Sequence, residues 1–184
     1  MFKNYLKQNI TRIPCDDDIG YTLLSLFIAE EGGGLNFTLE DVANSWKKYI
    51  TYAYTAERVA LDNLLKGIEP SKAAEIDNPY DEWIGADIRC DGYGYMAPCD
   101  PEKAAKMAKT DAMISHRNNG IYGSMYFSAV ISAGFCLSDA KKALTKGLEY
   151  IPDDCELANG VRWALDNYDS VRDYRHAVEI VDAR

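Results

Sequence analysis

The 184-residue sequence predicts an all-α protein, and three features of it point that way. Segment after segment carries helix start and stop signals around apolar residues spaced at helical intervals, with little of the alternation a strand would show. The run from Tyr122 to Phe135 is apolar or small on nearly every side, the pattern of a helix surrounded by other helices. No internal repeat, low-complexity tract or linker interrupts the chain, so one all-helical domain over residues 1–184 is expected, of a size that buries most of its unfolded surface.

The elements follow in order. A helix from Asp16 to Glu31 carries Leu23, Leu24, Leu26, Phe27 and Ile28, and Gly32, Gly33 and Gly34 end it. Thr38-Leu39-Glu40-Asp41 has the form of a capping box with Asp in place of Glu, opening a helix with Val42, Ala43, Trp46, Tyr49 and Ile50. A third helix spans Ala56 to Lys66 and stops at Gly67. The connection IEPSKAAEIDNPYDEW has two prolines and little periodicity, and connections of that length are commonly functional or mobile. A short helix from Trp83 to Arg89 leads into CDGYGYMAPC, read as a loop. Asp100-Pro101-Glu102 then supplies a cap acceptor, a proline at the first helical position and an acid. Asn118-Asn119-Gly120 reads as the turn that ends this helix. Tyr122 to Phe135 is the expected central helix, its Gly123, Ser128, Ala129, Ser132, Ala133 and Gly134 admitting close neighbours, and two or three amphipathic helices complete the chain.

Composition narrows the function. A net charge of -9 and a pI near 4.7 argue against nucleic acid or an anionic membrane as partner, since both call for a basic surface. An anionic substrate therefore needs a local device such as a metal ion or a helix N-terminus. The five cysteines, Cys15, Cys90, Cys99, Cys136 and Cys155, are odd in number and lack C-x-x-C spacing, which reads as free thiols in a reducing, cytoplasmic compartment. MFKNYLKQNITRIP has no long apolar run, so neither signal peptide nor membrane span is expected.

Three places carry candidate chemistry. Asp16, Asp17 and Asp18 stand at a helix start, where carboxylates complement the dipole as a solvated cap; alternatively, adjacent carboxylates relieve their repulsion by holding a hard cation such as Mg²⁺ or Mn²⁺. In Asp91-Gly92-Tyr93-Gly94-Tyr95 the glycines would let backbone N–H groups approach an anion and the tyrosines stack on a base or ribose, or the segment is a tight turn packed on the core. Ala104, Ala108, Asp111, Ala112 and Ser115 share one helical face. Asp111 on that stripe must be hydrogen-bonded or face a polar cavity. His116 in the last turn is either a dipole-favoured cap or part of a binding pocket.

The stretches DDDIGYTLL, IGADIRCDGYGYMAPCDPEKAA and DAMISHRNNGIYGSMYFSAVISAGF, in this order and spacing, resemble the ADP-ribosylglycohydrolase family, which includes dinitrogenase reductase-activating glycohydrolase. The resemblance covers most of the chain. It implies an all-α fold, two divalent cations, usually Mg²⁺, and hydrolysis of the glycosidic bond between ADP-ribose and a protein side chain or a related small acceptor. Asp16, Asp17 and Asp18 fall on the first three positions of the family's Thr-Asp-Asp-Thr metal motif, with Ile19 replacing the final threonine; Asp17 and Asp18 are the implied catalytic pair. Asp91, Gly92, Tyr93 and Gly94 resemble the loop that approaches the phosphates, and Ser115 and His116 the helix end that faces ribose. No Asp-x-Asp-Thr-like run occurs before Arg184, and the glycine-rich helix that precedes the first acidic motif in the family is missing. The resemblance therefore implies a partial form of the fold, truncated at both ends, with one metal site formed or with a partner chain supplying the missing ligands. Two expectations follow: a metal-dependent hydrolase, or a non-catalytic helical module that keeps the fold and weak ADP-ribose binding.

Overall fold

The computed structural model describes residues 16–183, and among these residues it contains ten α-helices and no strand. Cys15 and the N-terminal segment read above lie outside the described residues. Asp16 caps α1 (Asp17–Glu31), its Oδ1 accepting from the Ile19 N–H at 3.1 Å. Gly33, at φ +77°, takes the left-handed turn that ends the helix. Thr38 and Asp41 form the expected capping box at α2 (Leu39–Tyr49): the Thr38 N–H donates to Asp41 Oδ2 at 2.7 Å and the Asp41 N–H to Thr38 Oγ1 at 3.3 Å. Helices α3 (Thr55–Leu65) and α4 (Pro70–Ala73) follow.

The long connection after α3 is pinned by two buried asparagines. Asn63 donates to the Ala73 and Ile76 carbonyls at 3.0 and 2.8 Å, and Asn78 to the Ser115 carbonyl at 3.0 Å. These bonds satisfy backbone that would otherwise be buried without partners, so the segment is a structural strap between α3 and the start of the second half.

A 3₁₀ segment (Ile84–Arg89) runs into α5 (Asp91–Met96). CDGYGYMAPC is thus largely helical rather than the expected loop. Next come α6 (Pro101–Ala112), capped by Asp100 as predicted, and α7 (Asn118–Gly134). Here the boundaries differ from the sequence reading. Asn118-Asn119-Gly120 does not end a helix but begins α7, because Glu82 accepts from the Asn119 N–H and from the Asn118 and Asn119 side chains at 2.8–3.3 Å. A carboxylate supplied from elsewhere in the chain thus complements the helix N-terminus. Ser115 and His116 consequently sit in the turn between α6 and α7, not in a last helical turn.

Helices α8 (Ala140–Gly147), α9 (Glu156–Asn167) and α10 (Tyr174–Asp182) complete the described chain. The central element is α7, packed against α5, α6, α8, α9 and the 3₁₀ segment. One core gathers Tyr21, Leu24, Ile28, Trp46, Leu61, Tyr93 and Ile114, and a second gathers Tyr126, Leu148, Ile151 and Ala158. Full burial of a residue such as Ile28 or Ile114 contributes about 1.5–3 kcal/mol.

The thiol reading is corrected in part. Cys99 and Cys136 are joined in a disulfide, with Cα atoms 5.5 Å apart, while Cys90 and Cys155 are free. Sequence spacing could not show it: α6 and α7 fold back on each other and bring residues 37 apart to the same end of the hairpin. Among the described residues, no helix is long and apolar enough to cross a membrane.

Candidate functional site

Two clefts open beside the three aspartates, all of which are exposed. One, of about 530 Å³, is lined by Asp18, Ile19, Thr22, Leu23, Ile88 and Asp91. The other, of about 390 Å³, has Asp16 and Asp17 at one end and Tyr21, Phe27, Tyr49, Tyr52 and Tyr54 among its walls. The first turn of α1 thus lies between them, and one predicted site residue from the second motif, Asp91, shares a cleft with Asp18.

The rest of that motif is placed differently. Tyr93 is 1 % exposed, its ring packed on Phe37 at 5.6 Å, and burial together with the charge of Asp111 pushes its phenol well above the usual range. The N–H groups of Tyr93 and Gly94 both donate to the Cys90 carbonyl, so they are consumed within α5 rather than directed at an anion. The two glycines serve packing. A Cβ at Gly92 would lie 1.8 Å from Ser25 Oγ on α1, and one at Gly94 would lie 2.6 Å from Ile131 Cγ2 on α7.

Asp111 has a buried partner that sequence reasoning missed. Arg89 Nε lies 2.8 Å from Asp111 Oδ2 and Arg89 Nη1 2.8 Å from Glu57 Oε1, with all three side chains nearly inaccessible. The guanidinium also lies 4.9 Å from the Trp46 ring centroid and 5.6 Å from that of Tyr21. Burial raises the Glu57 carboxyl, with Arg89 opposing the shift. A cation flanked by two carboxylates and two rings pairs the buried charges, while Asp111 Oδ1 has no hydrogen-bond partner among the described residues; the ion pair gives Asp111 a structural role.

Ser115 and His116 are fully buried, with Ser115 Oγ 2.8 Å from His116 Nδ1. Burial, and secondarily the charge of Arg89, lowers the His116 pKa to about 3, so the ring is neutral at physiological pH. His116 lines none of these clefts. The strap held by Asn78 at the Ser115 carbonyl and the Asp81–Glu82 backbone beside Gly120 pack near it.

A family model described as ADP-ribosylglycohydrolase matches residues 14–183. The chain belongs to the ADP-ribosylglycohydrolase family. Neither the curated proteins nor the solved structures give a match. Membership carries the all-α fold seen here and a glycohydrolase type of activity.

For an ADP-ribosylglycohydrolase the donors available near α1 are Asp16, Asp17, Asp18 and Asp91. Among the described residues, no three His, Cys, Asp or Glu side chains converge in a cluster set to hold a metal ion. The donor chemistry nevertheless fits a single hard cation, since carboxylate oxygens suit Mg²⁺ or Mn²⁺, and Mg²⁺ is commonly held by one or two carboxylates with several waters retained. Asp18 and Asp91 offer such a pair across one cleft. Asp16 already gives one oxygen to the helix cap.

A further acid of this ADP-ribosylglycohydrolase was not singled out by its sequence. Asp87 lines a third cleft, of about 470 Å³, with Glu82, Trp83, Ile84, Asn119 and Glu156 among its other walls. Its Oδ1 is buried without a hydrogen-bond partner among the described residues, and burial raises its pKa to about 7. A Cβ at Gly123 would lie 2.1 Å from that oxygen, so the glycine of α7 makes room for the carboxyl.

Proposed function

We propose that the protein is a divalent-cation-dependent hydrolase that cleaves the glycosidic bond joining ADP-ribose to a protein side chain or a small acceptor. The observation that carries this reading is the opening of Asp18 and Asp91, from α1 and α5, onto one cleft at the same helix end that presents Asp16 and Asp17. Asp18 and Asp91 would hold the cation, with Asp16 and Asp17 close by and waters completing the shell. When bound, the cation supplies positive charge to the diphosphate and polarises water.

The chain's own residues supply the remainder. Asp17, exposed and next to Asp18 in the first turn of α1, takes the proton of the attacking water as its oxygen bonds to the ribose C1. The bond from C1 to the acceptor breaks, and the proton is returned to the departing group. The walls Ile19, Leu23 and Ile88 limit bulk water at the reacting carbon. With a net charge of -9, a dianionic ligand binds appreciably only when the divalent cation is present.

Titration with Mn²⁺ and an assay of ADP-ribose release from ADP-ribosyl-arginine, ADP-ribosyl-serine and a small ADP-ribosyl ester test the reading. Binding heat and release should both disappear in the Asp17→Ala/Asp18→Ala double variant. Equal heats from wild type and variant would reduce the triplet to a helix cap. ADP-ribose binding without release of any acceptor would favour the non-catalytic module.

A further inference from the structure

The cleft that Asp87 lines is distinct from the two beside the aspartate triplet. The 3₁₀ segment divides them: Asp87 lines one, and Ile88, the next residue, lines the cleft shared by Asp18 and Asp91. Both walls of the Asp87 cleft are apolar. Trp83 and Ile84, 55 % and 72 % exposed, form one wall, and Leu157, Val161 and Ala164 of α9 form the other. The three α9 positions follow i, i+4 and i+7 and so share one face of the helix. Tyr80 meets the Trp83 ring edge to face at 4.9 Å, and its carbonyl accepts from the Trp83 N–H. The groove is therefore shaped in the free chain.

Charge in this groove is of one sign. Glu82, Asp87 and Glu156 line it, with no lysine or arginine among its walls. Glu82 is committed to Asn118 and Asn119 at the start of α7. Asp87 is not committed: it is half-buried and packs against Gly123, and its Oδ1 has no hydrogen-bond partner among the described residues. The neighbouring cation, Arg89, is turned away to Glu57 and Asp111. A carboxylate between apolar walls gains most from a cation that brings an apolar stem with it. Arginine meets that demand, because its planar guanidinium pairs with a carboxylate and stacks on an indole while its methylenes cover apolar surface. A small inorganic cation would leave Trp83, Ile84 and the α9 wall in water.

We infer that this groove docks a partner polypeptide through an arginine side chain, with the guanidinium on Asp87 and Trp83 and the apolar residues beside it on Ile84 and the α9 face. The net charge of -9 favours encounter with such a basic segment. The arginine is a recognition contact, not the side chain that carries ADP-ribose, so the inference stands apart from the function proposed above.

The experiment titrates the full chain, in excess EDTA, with Ac-Ala-Leu-Arg-Leu-Ala-amide, with the same peptide carrying norleucine in place of arginine, and with agmatine. Calorimetry and the indole N–H resonance of Trp83, assigned through Trp83→Phe, report binding. The arginine peptide should bind and shift that resonance, and the norleucine peptide and agmatine should both bind more weakly. Asp87→Asn should weaken the arginine peptide about tenfold or more, the effect of losing a hydrogen bond to a charged group. Trp83→Ala should weaken it about threefold or more, and Asp17→Ala/Asp18→Ala should bind it as wild type does. Thermal melts establish that the variants are folded, which the shape of asparagine and the exposure of Trp83 favour. Absence of peptide binding by the folded wild-type chain, equal affinity for the norleucine peptide, or equal affinity in Asp87→Asn overturns the inference. Loss of binding in the Asp17/Asp18 variant alone overturns it too, by moving the peptide to the aspartate triplet. Agmatine binding as tightly as the peptide would make the groove a site for small guanidines and overturn the docking of a polypeptide. Because no metal is present, a failure of metal binding or hydrolysis leaves these outcomes unchanged.

Discussion

Arg89 Nε and Asp111 Oδ2 lie 2.8 Å apart, with the two side chains 2 % and 1 % exposed. The pair ties the 3₁₀ segment to α6, and Glu57 on the other side of the guanidinium adds α3. Removing the cation would leave two carboxylates buried and uncompensated. Arg89→Met should therefore cost about 3–5 kcal/mol in denaturant unfolding, and simultaneous replacement of Arg89, Glu57 and Asp111 by apolar residues of similar volume should restore part of that loss. A change of less than 1 kcal/mol for Arg89→Met would show that water reaches the cluster.

Asp87 and His116 should pull the pH dependence of stability in opposite directions. The folded pKa of Asp87 is raised from 3.8 to about 7, so its contribution is full below the lower value and is lost as pH rises to the higher one. That of His116 is lowered from 6.5 to about 3, so its contribution is full above 6.5 and is lost as pH falls to 3. Between pH 4 and 6.5 the two slopes offset each other. Asp87→Asn should make the melting temperature rise more steeply with pH in that window, and His116→Gln should make it fall. Profiles parallel to wild type in both variants would show that neither group is perturbed as described.

Gly94→Ala should destabilise by about 1–3 kcal/mol through overpacking against Ile131 and the Ser128 carbonyl. Gly92→Ala should behave in the same way, more mildly if the Ser25 hydroxyl rotates aside. If the segment instead served as an anion-binding loop, the substitutions would weaken ADP-ribose binding and leave the melting temperature unchanged.

The Cys99–Cys136 bond closes a loop across a sequence separation of 37, for which chain entropy predicts about 4 kcal/mol of stabilisation. Guanidinium unfolding with and without dithiothreitol, and of Cys99→Ser/Cys136→Ser, measures it. Coincident curves would show that the hydrogen bonds from Cys99 N–H to the Ser132 carbonyl and from Ser132 Oγ to the Ala97 carbonyl already fix this junction.

The features legible in the sequence were the local ones. Asp100-Pro101-Glu102 and the Thr38–Asp41 box could be read because a cap and its recipients lie within one turn. The alanine stripe of α6 could be read because its period is intrinsic to the helix. What could not be read depended on contacts between distant segments. Asp111 announced that it needed a partner, but nothing in IGADIR distinguishes Arg89 from a surface arginine. Two glycines in six residues argue against a helix at Asp91–Met96, which exists because α1 and α7 pack close to it. Asn118-Asn119-Gly120 looks like a terminator until Glu82 arrives from the strap. Of the candidate site, the acidic triplet stood out, whereas the tyrosines of TYAYT became cleft walls only when α1 and α2 supplied the opposite side.

The uneven burial of the helices sets an order of opening. Nine residues of α7 are buried, whereas α10 buries none. Amide protons of α7 can exchange only when its neighbours part, so their protection should approach the free energy of global unfolding, while those of α10 should exchange through fraying alone. Limited proteolysis should accordingly enter at the end of the chain, and loss of α10 should leave the remaining helices and both aspartate clefts in place.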